Sequence, residues 1–175
     1  SVSLADKKGI LDEYVGIMMG VPGVQTCSLG YGDGRRKIVF ANSEGSYIEQ
    51  ERLDVSMRLT AMARNGGDVQ QSGISLGSSG DFSFVRSLHE QAKEQAHQAV
   101  ELLKAPQVKG GEYTVLLDPI LAGVFIHEAF GHLSEADFVY ENDHLRDLMR
   151  MGKRFGGRHL NVVDGAAIPG LRGSY

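Results

Sequence analysis

The sequence predicts an α+β fold, an antiparallel β-sheet packed with long helices, one of which carries a His-Glu-x-x-x-His motif. Three observations predict it. Leu53, Val55, Met57, Leu59 and Ala61 alternate with Asp54, Ser56, Arg58, Thr60 and Met62, the period-two pattern of a half-buried strand. Val85, Leu88, Ala92, Ala96, Ala99, Val100 and Leu103 recur at helical spacing and make one apolar stripe. Asp118-Pro119 then opens an apolar run that ends in His127-Glu128, with the aspartate as N-cap and the proline in the first turn of a helix.

The elements follow in order. Ser3-Leu4-Ala5-Asp6 reads as a capped helix start, and Ile10, Leu11, Tyr14, Val15 and Met18 continue it until Gly20, Pro22 and Gly23 stop it. Residues 24–31 and 37–41 read as two strands around Asp33-Gly34, a hairpin turn signal. The alternating strand comes next, Asn65-Gly66-Gly67-Asp68 turns the chain, and residues 69–76 run back. The expected product is a four-stranded antiparallel sheet, whose open edge would be able to take an extended peptide as an added strand. After the Gly77-Ser78-Ser79-Gly80 loop, a long amphipathic helix starts at Phe82 and stops before Pro106 and Gly110-Gly111. His89 and His97 lie in it among Glu and Gln and are expected to be solvated. Residues 113–117 read as a short buried strand, 142–154 as a helix with Leu145, Leu148 and Met149 as its apolar positions, and 160–163 as a last strand before a Gly/Pro-rich tail. Residues 1–80 are thus mainly sheet after an N-terminal helix, and 81–175 mainly helices, including the one that bears the motif.

Bulk properties bound the function. The 175 residues suffice for one ordinary domain or two small ones. A net charge of −4, with Arg35-Arg36-Lys37 as the only basic cluster, argues against direct contact with nucleic acid; that cluster reads as a solvated hairpin end. The single cysteine, Cys27, excludes an internal disulfide framework and fits a reducing compartment. With no signal-peptide pattern and no apolar run of membrane-spanning length, the expected location is cytoplasmic, without membrane contact. A start without Met and an abrupt stop at Tyr175 lead us to expect part of a longer protein.

The run His127-Glu128-Ala129-Phe130-Gly131-His132 carries the chemistry. Metal hydrolases use neutral imidazoles to hold zinc and a carboxylate beside them to take a proton from water. In the familiar H-E-x-x-H pattern the histidines are four apart, about 40° round a helix. Here they are five apart, about 140° on an ideal α-helix. Two imidazoles so placed share one ion only if the helix ends, kinks or widens between them, and Gly131 is where the chain leaves helical geometry at low cost. His127 and His132 are therefore candidate zinc ligands and Glu128 the candidate general base. Histidines satisfying unrelated hydrogen bonds in a buried helix are the competing reading. A third ligand is open: Cys27 reads as a small core or surface residue, Glu135, Asp137, Glu141 and His144 lie near in sequence, and His144 and His159 read as surface residues.

The wider run, continuing Leu133-Ser134-Glu135-Ala136-Asp137, resembles the TldD/PmbA family signature H-E-A-x-G-H-x-x-E-x-D at all seven specified positions. The lead-in Tyr113-Thr114-Val115-Leu116-Leu117-Asp118-Pro119 and residues 165–175 are similar to that family as well. The resemblance implies a zinc-dependent peptidase acting on unfolded or short peptides, with zinc on His127 and His132, Glu128 as general base, and Glu135 and Asp137 orienting the ligands. It implies a third ligand from a cysteine beyond residue 175, in a C-terminal domain absent here, so that this central portion is expected to be inactive alone. The histidines match the TldD type of subunit rather than the PmbA type, and the resemblance implies a homodimer or a heterodimer with a PmbA-type subunit, with proteolysis confined to a chamber and roles in maturing modified peptides or clearing small proteins. Such sequences have also carried the label "modulator of DNA gyrase", which the acidic balance does not favour as direct DNA contact. A non-catalytic peptide-binding or dimerisation scaffold is the alternative reading of the same residues.

Overall fold

In a computed structural model, which describes residues 2–168, the hydroxyl of Ser3 accepts a hydrogen bond from the Asp6 N–H at 3.1 Å and starts helix α1 (Leu4–Met19), as its cap predicts. The family-like tail lies, from residue 169 on, outside the described residues. The chain divides into two units, one built on residues 2–108 and the other on Lys109–Gly165.

The first unit holds three long strands rather than the four expected: β1 (Val24–Ala41), β2 (Tyr47–Asn65) and β3 (Asp68–Ser78), antiparallel in the order β1-β2-β3. Asp33-Gly34 does not turn; the two residues sit inside the ladder opposite Val55 and Asp54. The turn falls instead at residues 42–46. There the Asn42 side chain accepts from the N–H groups of Glu44 at 3.1 Å and Ser46 at 2.9 Å, and Gly45 takes a φ of 88°. Beyond Gly34 the ladder is held by ion pairs across it, Arg35 with Glu51 at 2.8 Å and Lys37 with Glu49 at 3.3 Å. The basic cluster is accordingly an exposed mid-strand stretch and not a hairpin end. The Asn65–Asp68 turn is where it was expected, with Gly66 at a φ of 60°.

One face of β2 makes the core. Val55, Met57, Leu59, Ala61 and Ala63 are buried, whereas Leu53 is 41% exposed because β3 ends opposite Val55 and leaves it uncovered. Helices α1 and α2 (His89–Leu102) pack with that sheet through Tyr14, Met18, Ala92, Ala96 and Ala99, small alanines letting α2 approach closely. Ser72 on β3 meets the side-chain amides of Gln95 and Gln98, each at 2.7 Å.

The long helix expected from Phe82 is broken. A 3₁₀ turn (Phe82–Ser87) precedes α2, and the break at Leu88 is satisfied by Tyr14. The Tyr14 hydroxyl donates to the Val85 carbonyl and accepts from the Leu88 N–H at 3.1 Å. His89 is less free than expected, lying 2.7 Å from Glu13 and edge-on to Tyr14; His97 is exposed. Cys27, half-buried opposite Ala61, packs against the core, and burial pushes its thiol pKa up. No helix among the described residues is long and apolar enough to cross a membrane.

The second unit is built from α3 (Pro119–Ile126), a π-helical turn (His127–Gly131), a 3₁₀ turn (His132–Ser134), α4 (Ala136–Glu141) and α5 (Asp143–Leu148). Residues 113–117 and 160–163 form no strands here and are exposed, Leu116 at 99%. A strand needs a ladder partner for its N–H and C=O groups, and among the described residues nothing pairs with either segment. The helix expected over 142–154 begins where predicted, because Asn142 accepts from the N–H groups of His144 and Leu145. It stops at Leu148, ahead of Gly152, which takes a φ of 82°.

Tyr14→Phe tests the junction on which the core depends. Two buried backbone groups would lose their partner, so unfolding in denaturant should show a loss of about 1–3 kcal/mol with little change in slope.

Candidate metal centre

The site starts with Asp118. Its carboxylate accepts from the Leu121 N–H at 2.8 Å, and Pro119 occupies the first turn, so the phase of α3 is set from its beginning. The helix stays α-helical to Ile126 and then widens: the His132 N–H donates to the His127 carbonyl, five residues back. With an i→i+5 bond, five residues make little more than one turn, and the two histidines come onto one side. Their ring centroids lie 4.5 Å apart with the planes at 66°. Of the routes open to the sequence, ending, kinking or widening, the structure takes the third.

His127, Glu128 and His132 each offer one ligand atom, and these atoms lie within 4.8 Å of one another. The two nitrogens of a tetrahedral zinc site stand ~3.4 Å apart, with Zn–N bonds near 2 Å. Small side-chain movements thus suffice for the two imidazoles to share an ion, and the donor set fits a metal that prefers nitrogen. His132 lies between two carboxylates: Glu128 Oε2 is 3.5 Å from its Nε2, and Glu135 Oε1 is 2.6 Å from its Nδ1. The hydrogen bond to Glu135 raises the His132 pKa above that of an ordinary histidine, partial desolvation opposes it, and the charges of Glu135 and Glu128 add to it. It also commits Nδ1 and leaves Nε2 for a metal. The site is open, with the Glu128 side chain 65% exposed and that of His132 49%.

The other candidates are not part of the cluster. Asp137 accepts from the N–H of its neighbour Phe138 at 2.9 Å and makes no hydrogen bond to either histidine. Glu141 and His144 are exposed, and the His159 ring accepts from Arg158 Nε at 2.9 Å. Sequence reasoning gave Phe130 no role. Its ring meets Phe155 edge-on at 5.1 Å and ties the loop after α5 to the wide turn, a contact for which the apolar pattern carried no signal.

Comparison with known proteins identifies the family. Residues 1–103 match the description of the PmbA/TldA metallopeptidase central domain, and residues 110–175 that of the PmbA/TldA metallopeptidase C-terminal domain. The chain is 42% identical over 175 residues to a metalloprotease of Synechocystis sp. and 38% identical over 176 residues to one of Methanocaldococcus jannaschii. In each case the match takes in 99% of this chain and 38% of the relative, so the chain spans about two fifths of the length of these relatives. A protein named zinc metalloprotease TldD homolog in Saccharolobus solfataricus is 33% identical over 144 residues, 82% of this chain and 32% of that one. No solved structure matches.

The grip of Glu135 on His132 is measurable without metal. A pKa raised by folding adds stability that is present below the ordinary histidine pKa and is lost as pH rises through the raised one. In the metal-free protein, Glu135→Gln should bring the His132 titration, followed by NMR, down towards the ordinary value; an unchanged midpoint would show that the contact is not made in solution.

Proposed function

Because the chain belongs to the PmbA/TldA metallopeptidase family, we propose that His127, Glu128 and His132 are the zinc-binding and catalytic part of a peptidase that hydrolyses peptide bonds in unfolded or short peptides. The observation that carries this reading is the wide turn, which gathers two imidazoles and one carboxylate within 4.8 Å on a sequence spacing that an α-helix would splay.

Zinc bound there supplies Lewis acidity, lowering the pKa of a coordinated water and polarising the scissile carbonyl. His127 and His132 hold it as neutral imidazoles, with Glu135 fixing the tautomer and direction of His132. Glu128 lies beside the ligands, where its exposed carboxylate takes the proton of the attacking water and passes it to the leaving amine. A catalytic zinc ordinarily has three protein ligands; two imidazoles converge here, and we assign the third to a cysteine in the part of the protein outside this chain. The open site admits an extended peptide. An unselective peptidase of this kind is compatible with a cell only if folded proteins are kept out, which fits a dimer, with itself or with a PmbA-type subunit, that encloses the site. The single thiol fits a reducing compartment, and the cytoplasm is the proposed place of action.

In the full-length protein, Glu128→Gln should lower turnover of an unstructured peptide about 10²–10⁴-fold while zinc content stays at the wild-type level. Unchanged turnover would sink the catalytic reading in favour of a peptide-binding scaffold. His132→Ala should lose zinc itself, measured by elemental analysis of the purified protein. Zinc titrated into the 175-residue chain by calorimetry should bind more weakly than to the full-length protein, and not at all to its His132→Ala variant.

A further inference from the structure

We infer that the back of the motif-bearing helix is a docking face for a segment of the intact protein that follows residue 175, an extended strand of mixed apolar and acidic residues. The inference stands on the second unit alone and holds whether or not His127 and His132 bind zinc.

The helical segment has two faces. His127, Glu128 and His132 gather on one. Phe125, Ala129 and Phe130 line the other, an open groove of about 650 Å³ with Phe155, Leu160 and Val162 along its opposite side. Phe125, Phe155 and Leu160 stay exposed in it. A contiguous apolar surface of this kind marks an interaction site, whereas scattered exposed apolar residues do not.

The groove is specific about what it takes. Lys153, Arg154 and Arg158 line it, and no acidic side chain does. Among the described residues none of the three forms an ion pair: Lys153 sits over the Phe155 ring, Arg158 donates to the His159 ring, and nothing polar meets Arg154. Arg146 and Arg150, outside the groove, each pair with an aspartate three residues back. Cations gathered on an apolar floor without a carboxylate complement an acidic partner. The groove wall adds a main-chain requirement. Residues 160–163 have strand composition, yet among the described residues the N–H groups of Asn161, Val162 and Val163 make no backbone hydrogen bond. Unpaired backbone on such a segment is a template for an added strand.

The occupant follows from these demands. The chain spans 38% of the length of its relatives, so most of the protein lies outside it, and residues 110–175 match a C-terminal domain. The part following residue 175 is the nearest in sequence to the groove. A second copy of this unit fits less well: its own unpaired segments of strand composition, 113–117 and 160–163, contain no acid.

The test is a zero-length cross-link in the full-length protein stripped of metal. A carbodiimide joins a lysine amine to a carboxylate only where the two touch. Protein of natural isotopic abundance and ¹⁵N-labelled protein are reassembled as an equal mixture and treated together. Mass spectrometry should find Lys153 joined to an Asp or Glu beyond residue 175 within one isotopic copy, and no such link in Lys153→Gln. The amides of residues 161–163 should exchange with deuterium about tenfold or more slowly than in an unstructured chain. Arg154→Glu with Arg158→Glu should speed them, while the amides of β2 in the first unit keep their rate. A link between isotopic copies gives the face to a dimer and overturns the inference. A link only to an acid within residues 1–175, no link at all, or exchange at 161–163 as fast as in an unstructured chain also overturns it. Neither readout involves zinc, so each of these failures leaves the metal site standing.

Discussion

Two imidazoles five residues apart in one helix share an ion only if the helix ends, kinks or widens between them, and in the second unit it widens. Asp118 and Pro119 start α3 and set its phase, and eight residues later the ladder shifts from i→i+4 to i→i+5 at His127. A single wide turn inside a helix is a rare feature, met frequently at functional sites. Here it turns about 140° of separation into ring centroids 4.5 Å apart. The 3₁₀ turn that follows tightens the chain again and presents Glu135 to the far side of His132.

The two units obtain their order differently. The first has a continuous core: one face of β2 against α1 and α2, closed by Tyr14 at the break before α2. The second has no fully buried side chain among its described residues, and its helices are six to eight residues long. Helices of that length are not stable by propensity, since isolated ones need roughly 12–15 residues even in favourable sequences. Caps at Asp118 and Asn142 and the Phe130–Phe155 contact hold the segment locally. A metal drawing His127 and His132 together would tie the middle of the same helix, so ligand binding and local order are coupled at this site.

What was legible in the sequence was what local chemistry decides. Ser3 and Asp118 announced their helices because a cap is a short-range hydrogen bond. The apolar period of β2 and the alanine stripe of α2 were read correctly because both face a core within the same unit. Asp33-Gly34 misled because a dipeptide with turn chemistry also fits a ladder whose neighbours, Arg35 and Lys37, find glutamates across it. Residues 113–117 and 160–163 have strand composition, yet pairing decides a strand, and pairing is not a local property. At the site, the residue types and the need for the helix to end, kink or widen were legible from spacing, whereas the convergence of the histidines, the way the helix reached it and the lack of contact between Asp137 and the histidines depended on three-dimensional register.

The motif region supplies two glutamates to one histidine, and geometry separates their roles. Glu135 lies 2.6 Å from Nδ1, a full hydrogen bond to an atom that cannot also bind metal, and its side chain is the less exposed of the two at 41%. A carboxylate so placed is suited to orient the ring, and its distance from the converging ligand atoms is set by the width of that ring. Glu128 lies 3.5 Å from Nε2, on the ligating side, too far for a good hydrogen bond and largely exposed. It adjoins His127 in sequence and the cluster in space, and its contact with His132 is the longer of the two. A general base has to stand within reach of the proton it takes, and it is this position beside the ligand atoms that the proposed role of Glu128 draws on. The same turn that joins the imidazoles therefore also places the two acids differently, Glu135 in a full hydrogen bond with His132 and Glu128 beside the converging ligand atoms.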